Sequence, residues 1–100
     1  VEVDFRLIFA PLVNEAEAAG VMADAAAELV GESNVDRRKA PASASEDFSF
    51  MLLERPGAYI FMGNGDTAMV HHPAYNFDDN AIPFGCSWYA GMVETRMPAA

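Results

Sequence analysis

The chain has 100 residues, 52% of them hydrophobic, and a net charge of −9 with a sequence pI of about 4.3. This balance argues against a nucleic-acid partner, because phosphate binding needs clustered Lys and Arg, and the basic run Arg37-Arg38-Lys39 is expected to be a solvated turn. One cysteine allows no internal disulfide, and no apolar run reaches the ~18–20 residues of a membrane span. We therefore expect a cytoplasmic protein without membrane contact that buries roughly 60–65% of its unfolded surface.

The first third of the chain predicts a strand and then a helix. Apolar and charged residues alternate over Val1–Phe9, as in a strand with one buried face, and Pro11 ends this pattern. Asn14 is expected to cap a helix over about residues 15–30, and Gly31 to supply its left-handed C-terminal residue. The apolar stripe of this helix comprises Ala18, Met22, Ala25 and Leu29.

The rest of the chain predicts two more helices around a buried strand. Ser43-Ala44-Ser45-Glu46 has the pattern of a capping box, so a helix should follow to about Glu54. The apolar run over residues 58–62 is typical of a strand inside a parallel sheet. Asp79 or Asn80 is expected to cap the last helix, whose predicted buried side comprises Phe84, Trp88, Tyr89, Met92 and Val93.

Both histidines lie in the stretch Val70-His71-His72-Pro73-Ala74-Tyr75-Asn76-Phe77-Asp78-Asp79. Neutral imidazole is the commonest side-chain metal ligand, but a zinc site needs three or four protein ligands. The sequence has no Cys-x-x-Cys, no His-Glu-x-x-His and no third histidine. Either the histidines are incidental, His71 being satisfied by a backbone carbonyl, or the other ligands lie outside this chain. Ligands of open α/β sheets bind beyond the carboxyl ends of strands, and His71 follows the predicted strand at residues 58–62.

Four segments in order resemble the carboxyl-terminal end of the metal-dependent amidohydrolases that include hippurate hydrolase, N-acyl-amino-acid amidohydrolases and auxin-conjugate hydrolases. They are Pro11-Leu12-Val13-Asn14, Ser45-Glu46-Asp47-Phe48-Ser49, the run from Arg55-Pro56-Gly57-Ala58-Tyr59 to Met62-Gly63-Asn64-Gly65, and the histidine stretch. The last is similar to the family's Leu-His-x-Pro-x-Tyr-x-Phe-x-Asp pattern. His71 matches the final metal ligand of that pattern, and His72 falls where other members carry Asn, Ser or Thr.

The resemblance implies an α/β fold, part of a zinc-exopeptidase-like catalytic domain with a mostly parallel sheet flanked by helices. It implies that residues 1–10 are the last strand of a lid domain and that residues 11–100 are the carboxyl-terminal part of the catalytic domain. The implied cofactors are two divalent metal ions per intact active site (zinc, manganese, cobalt or nickel), and the implied substrate is a small N-acyl amino acid. The remaining ligands and the general base have no counterpart in this sequence, so no catalytic residue is assigned here.

Several polar residues admit two interpretations. Asp78 and Asp79 either orient the His71 ring or, in the case of Asp79, cap the last helix. Glu46 and Asp47 are explained by a helix start better than by acid-base chemistry, because neighbouring helical residues diverge by about 100°. His72 is expected at the surface or behind the ligands. Asn14 is a weak candidate for substrate binding besides its predicted capping role.

The sequence thus predicts a fragment of an enzyme that hydrolyses hippurate-like N-acyl amino acids to a carboxylic acid and an amino acid, inactive on its own. The alternative is a small acidic α/β binding or interaction module whose histidines are structural. The unpaired edge of the predicted strand at residues 1–9 also predicts a homo-oligomer.

Overall fold

The computed structural model describes residues 1–97 and 99, and its regular elements are helical. Helix α1 spans Ala16–Val30, α2 spans Phe48–Glu54 and α3 spans Ala81–Arg96, with a short 3-10 turn at Glu32–Asn34. Within the described residues no two segments pair as β-strands. None of the helices described is long and apolar enough to cross a membrane.

The N-cap of helix α1 lies one residue after the predicted cap, Asn14. Glu15 is its N-cap, and its carboxylate accepts hydrogen bonds from the backbone N–H groups of Glu17 (2.9 Å) and Ala18 (2.7 Å). These bonds lower the pKa of Glu15. The prediction that Asn14 caps the helix is wrong, because the Asn14 amide bonds the main chain of Tyr59 instead. Gly31 ends the helix with a φ of 86°, a conformation that favours glycine.

Helix α3 packs against α1 through only part of its predicted apolar side. The indole Nε1 of Trp88 donates to the backbone carbonyl of Met22 at 3.2 Å, and Trp88 and Met92 are half-buried. Phe84, Tyr89 and Val93 were predicted on the same buried side but are more than half exposed. The contact therefore buries one edge of the predicted stripe and leaves the other uncovered.

The predicted capping box is wrong. Helix α2 begins at Phe48, five residues after Ser43, and Glu46 is engaged elsewhere. One Glu46 oxygen accepts from the Phe48 N–H (3.2 Å) and the other from the Tyr59 hydroxyl (3.2 Å). Asp47 already has helical dihedral angles and makes no capping bond with its side chain. Glu46 therefore acts at the helix start, as predicted, but as a tie to Tyr59 instead of a partner of Ser43.

The predicted strands at residues 1–9 and 58–62 do not form a sheet in the described part of the chain. Residues 1–8 are all exposed. A strand needs a neighbour to receive its backbone hydrogen bonds, and no described segment supplies one. The 58–62 segment is held by side chains instead: Asn14 bonds Tyr59, and Met62 Cε lies 3.5 Å from where a Cβ on Gly85 of α3 would be.

The chain leaves much more surface exposed than a self-contained domain of its mass. Its accessible surface is 8563 Å², against about 5500 Å² from the scaling of folded monomers. It thus buries about 45% of the unfolded surface instead of the predicted 60–65%. The radius of gyration of 16.6 Å likewise exceeds the ~13 Å expected for this length. Among the described residues those less than a tenth exposed are Ser49, Ala58 and Ala81.

Candidate functional site

His71 lies near the tip of a loop between the 58–62 segment and α3. Two consecutive turns shape this tip: the His72 N–H donates to the carbonyl of Met69 (3.1 Å), and the Tyr75 N–H donates to the carbonyl of His72 (2.9 Å). His71 itself has a φ of 68°, the one positive φ of a non-glycine residue in the described chain. Such a conformation costs of order 1–3 kcal/mol and clusters at functional sites. The backbone therefore sets His71 apart from its neighbours.

The two histidines differ in what their rings contact. The Nδ1 atom of His72 accepts a hydrogen bond from the Ala74 N–H at 3.0 Å, so this ring is part of the local turn. The His71 ring is exposed and makes no hydrogen bond to any residue that the structure describes. His71 therefore presents an imidazole that is free to bind a partner, whereas His72 serves the fold of the loop.

The base of the loop is closed by the side chain of Asn64. Its Nδ2 donates to the backbone carbonyl of Asn76 (3.0 Å) and its Oδ1 accepts from the Asp78 N–H (2.8 Å). The Thr67 hydroxyl oxygen also accepts from the Asn76 N–H at 2.9 Å. Sequence reasoning missed Asn64, because no spacing or periodicity links residue 64 to residues 76 and 78. The only local signal was an asparagine between two glycines in a loop.

Asp78, not Asp79, acts at the start of α3. The Asp78 Oδ1 atom accepts from the backbone N–H of Asn80 (3.0 Å) and from its side-chain Nδ2 (2.8 Å). Asn80 occupies the N-cap position, as one predicted alternative had it, but its side chain makes no capping bond. No hydrogen bond joins His71 to either aspartate in the described residues, so the structure does not bring these predicted partners together.

Asn14 and Glu46 meet at Tyr59, away from the histidine loop in sequence. The Tyr59 N–H donates to the Asn14 Oδ1 (2.8 Å), and the Asn14 Nδ2 donates to the Tyr59 carbonyl (3.0 Å). The Glu15 N–H reinforces this contact with a bond to the Gly57 carbonyl (2.9 Å). Burial, together with the Glu46 charge and hydrogen bond, raises the pKa of the Tyr59 hydroxyl. This cluster joins α1, α2 and the 58–62 segment.

The basic run is engaged within the chain, as a turn closed by ion pairs. Arg37 Nε and Nη2 bond the two carboxylate oxygens of Glu32 (2.7 and 2.8 Å), and Nη2 also lies 2.8 Å from Asp24. The hydrogen bond from Arg37 lowers the pKa of Glu32. The Lys39 ammonium lies 5.4 Å from the centre of the Phe61 ring. The three basic residues remain exposed, in agreement with the predicted solvated turn.

The described residues supply one candidate metal ligand and no complete site. No group of three or more His, Cys, Asp or Glu side chains converges anywhere in the described part of the chain. An exposed imidazole without an internal partner suits a divalent metal as a single ligand. A tetrahedral or bridged site would need further donors from outside these residues. The donor set thus fits a metal only as one contribution to a shared site.

Comparison with known proteins gives a consistent result. Residues 1–95 match the model of peptidase family M20/M25/M40. The chain is 34% identical over 84 residues to a hippurate hydrolase of Campylobacter jejuni (83% of this chain, 22% of that protein) and 36% identical over 72 residues to an N-acetyl-L-cysteine deacetylase of Bacillus subtilis (72% and 17%). It is 28% identical over 89 residues to an IAA-amino acid hydrolase of Arabidopsis thaliana (84% and 20%). The chain thus spans about a fifth of the length of these curated relatives. No solved structure matches it significantly.

Proposed function

This chain belongs to peptidase family M20/M25/M40, and from that premise we propose that it forms the carboxyl-terminal part of an amidohydrolase that cleaves N-acyl amino acids. The products would be a carboxylic acid and an amino acid. Family membership also favours the α/β peptidase-like fold, whose sheet would be completed by segments outside this chain. The relatives named for hippurate, N-acetyl-L-cysteine and IAA-amino acid conjugates support an amide between an acyl group and an amino acid as the bond to be cleaved.

In this proposal His71 is a metal ligand, and the observation that carries it is its free ring on a left-handed backbone. The loop presents the imidazole to solvent and leaves both ring nitrogens without an internal bond in the described residues. Divalent metals of the kind implied, two ions of zinc, manganese, cobalt or nickel, would polarise the amide carbonyl and lower the pKa of water. His71 contributes a neutral nitrogen donor, and the turn through His72 holds the backbone on which it stands.

We also propose the division of the chain between two domains. Residues 1–10 would be the last strand of the lid, and residues 11–100 the carboxyl-terminal part of the catalytic domain. The alternation of apolar and charged side chains in the first nine residues supports this, since Val1, Val3, Phe5 and Leu7 of the apolar set are exposed here. Phe5 is 86% and Leu7 75% exposed, so a neighbouring strand and a covering layer would stabilise both. A cytoplasmic location and a homo-oligomeric state remain predictions.

The test compares the 100-residue chain with the full-length protein that carries it, on N-benzoylglycine and N-acetylated amino acids with added zinc, manganese or cobalt. We expect metal-dependent hydrolysis by the full-length protein, lost on chelation and restored by metal. We expect none from the 100-residue chain, because one monodentate imidazole binds metal too weakly to activate water. Hydrolysis by the short chain above buffer would refute the shared site. A full-length protein inert toward every such amide would favour a binding module instead.

A further inference from the structure

The Asn64 side chain takes the place of a neighbouring strand at the base of the histidine loop. A carboxamide carries the same donor and acceptor as a peptide group, so it can bond a main chain as another main chain would. Asn64 does this on both sides of Phe77: it donates to the carbonyl of Asn76 at 3.0 Å and accepts from the N–H of Asp78 at 2.8 Å. Two backbone groups that would otherwise need water or a strand are thereby satisfied by one side chain.

These two bonds close a loop that contains His71. They bring residue 64 next to residues 76–78 and so form the neck of the loop. The Thr67 hydroxyl adds a third bond to this neck by accepting from the Asn76 N–H. Gly65 follows Asn64 with a φ of 76°, which turns the chain into the loop. Closing a flexible loop of this length has an entropic cost, and the neck bonds offset part of it.

The neck also connects the loop to α3. The Asp78 N–H that bonds Asn64 belongs to the residue whose carboxylate accepts from Asn80, the N-cap of the helix. Both ends of the loop, Asn64 and Asp78, are therefore linked to the first residues of α3. His71, with its left-handed backbone, lies about midway around the loop.

We propose that Asn64 is a positioning residue for His71: its carboxamide closes the loop so that the His71 imidazole is held where a metal can be shared with the rest of the protein. The proposal rests on the proposed role of His71 as a ligand. Asn64 itself touches no metal and no substrate in this proposal. Its loss loosens the loop and lowers metal affinity, while the helices remain folded.

The experiment uses the full-length protein with zinc alone as the probe. Asn64→Leu keeps the branched side-chain skeleton and removes both neck bonds, whereas Asn64→Asp is isosteric and removes only the donor. Asn76→Ala is the matched control, because that exposed asparagine contributes only backbone groups to the neck. Zinc affinity is measured by competition with a chromophoric chelator. The exchange of the backbone N–H groups of residues 67–78 with deuterium reports the loop independently of any metal.

We expect Asn64→Leu to weaken zinc binding by about tenfold or more, as loss of groups that orient a ligand commonly does. We expect faster exchange across the loop, a smaller effect for Asn64→Asp and none for Asn76→Ala. Zinc affinity within twofold of wild type in Asn64→Leu would overturn the proposal, as would failure of Asn64→Asp to fold, since Asn64 would then serve folding instead of positioning.

His71→Ala separates this inference from the proposed function. If His71→Ala keeps full zinc affinity while Asn64→Leu speeds deuterium exchange in the loop, His71 is not a ligand and Asn64 has no ligand to position. The Asn64 bonds would then stabilise the loop without serving a metal site. If His71→Ala loses zinc and Asn64→Leu does not, the ligand role stands and only the role of Asn64 fails.

Discussion

The histidine loop and the amino-terminal segment are both free of regular secondary structure, yet they differ in how their backbones are satisfied. Residues 64–78 are tied by turns, a hydroxyl and the Asn64 carboxamide. Residues 1–8 are all exposed, and the one side-chain hydrogen bond described among them joins Arg6 to Asp4. The difference shows that a segment with an internal partner for its main chain keeps a defined shape alone. A segment that has the residue pattern of a strand, but no neighbouring strand, leaves its backbone groups without protein partners.

The largest effect is expected at the tip of the tied loop, in the full-length protein. His71→Ala should lower the rate of amide hydrolysis at least about a hundredfold and reduce bound metal, because a lost ligand removes several kcal/mol of catalytic stabilisation. His72→Asn should keep most of both, since the asparagine Oδ1 can accept from the Ala74 N–H as His72 Nδ1 does. Bound metal and the steady-state rate of hydrolysis are measured for both variants and for wild type. The opposite ranking would place the ligand at His72.

The untied segment should associate when the 100-residue chain stands alone. We expect a dimer or larger species at micromolar concentration, because exposed strand edges and apolar faces recruit a partner. Phe5→Ser with Leu7→Ser should raise the dissociation constant by more than about tenfold, from the transfer free energy of two large side chains. Glu2→Ser with Asp4→Ser alters the other face and should not. Light scattering measures both, and a monomeric wild-type chain would contradict the prediction.

A third prediction concerns the other asparagine that replaces a strand. Asn14→Ala in the full-length protein removes two hydrogen bonds to Tyr59, each with a net value of about 1 kcal/mol. We expect the melting temperature to fall by a few degrees. Asn76→Ala, which removes a side chain with no hydrogen bond in the described residues, should leave it unchanged. Equal melting temperatures for all three proteins would show that the contact with Tyr59 contributes nothing to stability. The predicted substrate contact of Asn14 would show separately, as a rise in KM.

The smallest effect is the pH dependence of the α1 cap. Two backbone N–H bonds hold the pKa of Glu15 below its usual value of 4.5, so its contribution is present above that pH and is lost as the pH falls through the folded-state value. Glu15→Gln should therefore lower the melting temperature at pH 7 and converge with wild type in acid. Glu28→Gln, an exposed change on the same helix, is the control. A difference between wild type and Glu15→Gln that stays constant with pH would exclude the charge as the cause.

Sequence analysis predicted the three helices and the N-cap of α3 at Asn80 as one of two alternatives, but it misplaced the caps of α1 and α2. The stripe of α1 and the position of α3 follow from side chains three or four residues apart, which meet within one helix whatever surrounds it. The caps depend on competition for polar groups. Asn14 and Glu46 were both predicted to serve helix starts, but each has Tyr59 within reach, and Tyr59 is 45 residues from one and 13 from the other.

Local sequence was sufficient for the helical segments, the acidic surface and the family motif around His71, because these depend on residue type and near spacing. Only the tertiary structure decided that Asn64 closes the histidine loop and Asn14 holds Tyr59, since both contacts join residues far apart in the chain through single side chains. The strand at residues 1–9 was predicted from alternation and the one at residues 58–62 from a continuous apolar run, neither of which specifies a neighbouring strand. A strand forms only when a neighbouring strand receives its backbone hydrogen bonds. In the described chain the Asn14 side chain takes that place at Tyr59 in the 58–62 segment, and no other segment pairs with residues 1–9 as a strand.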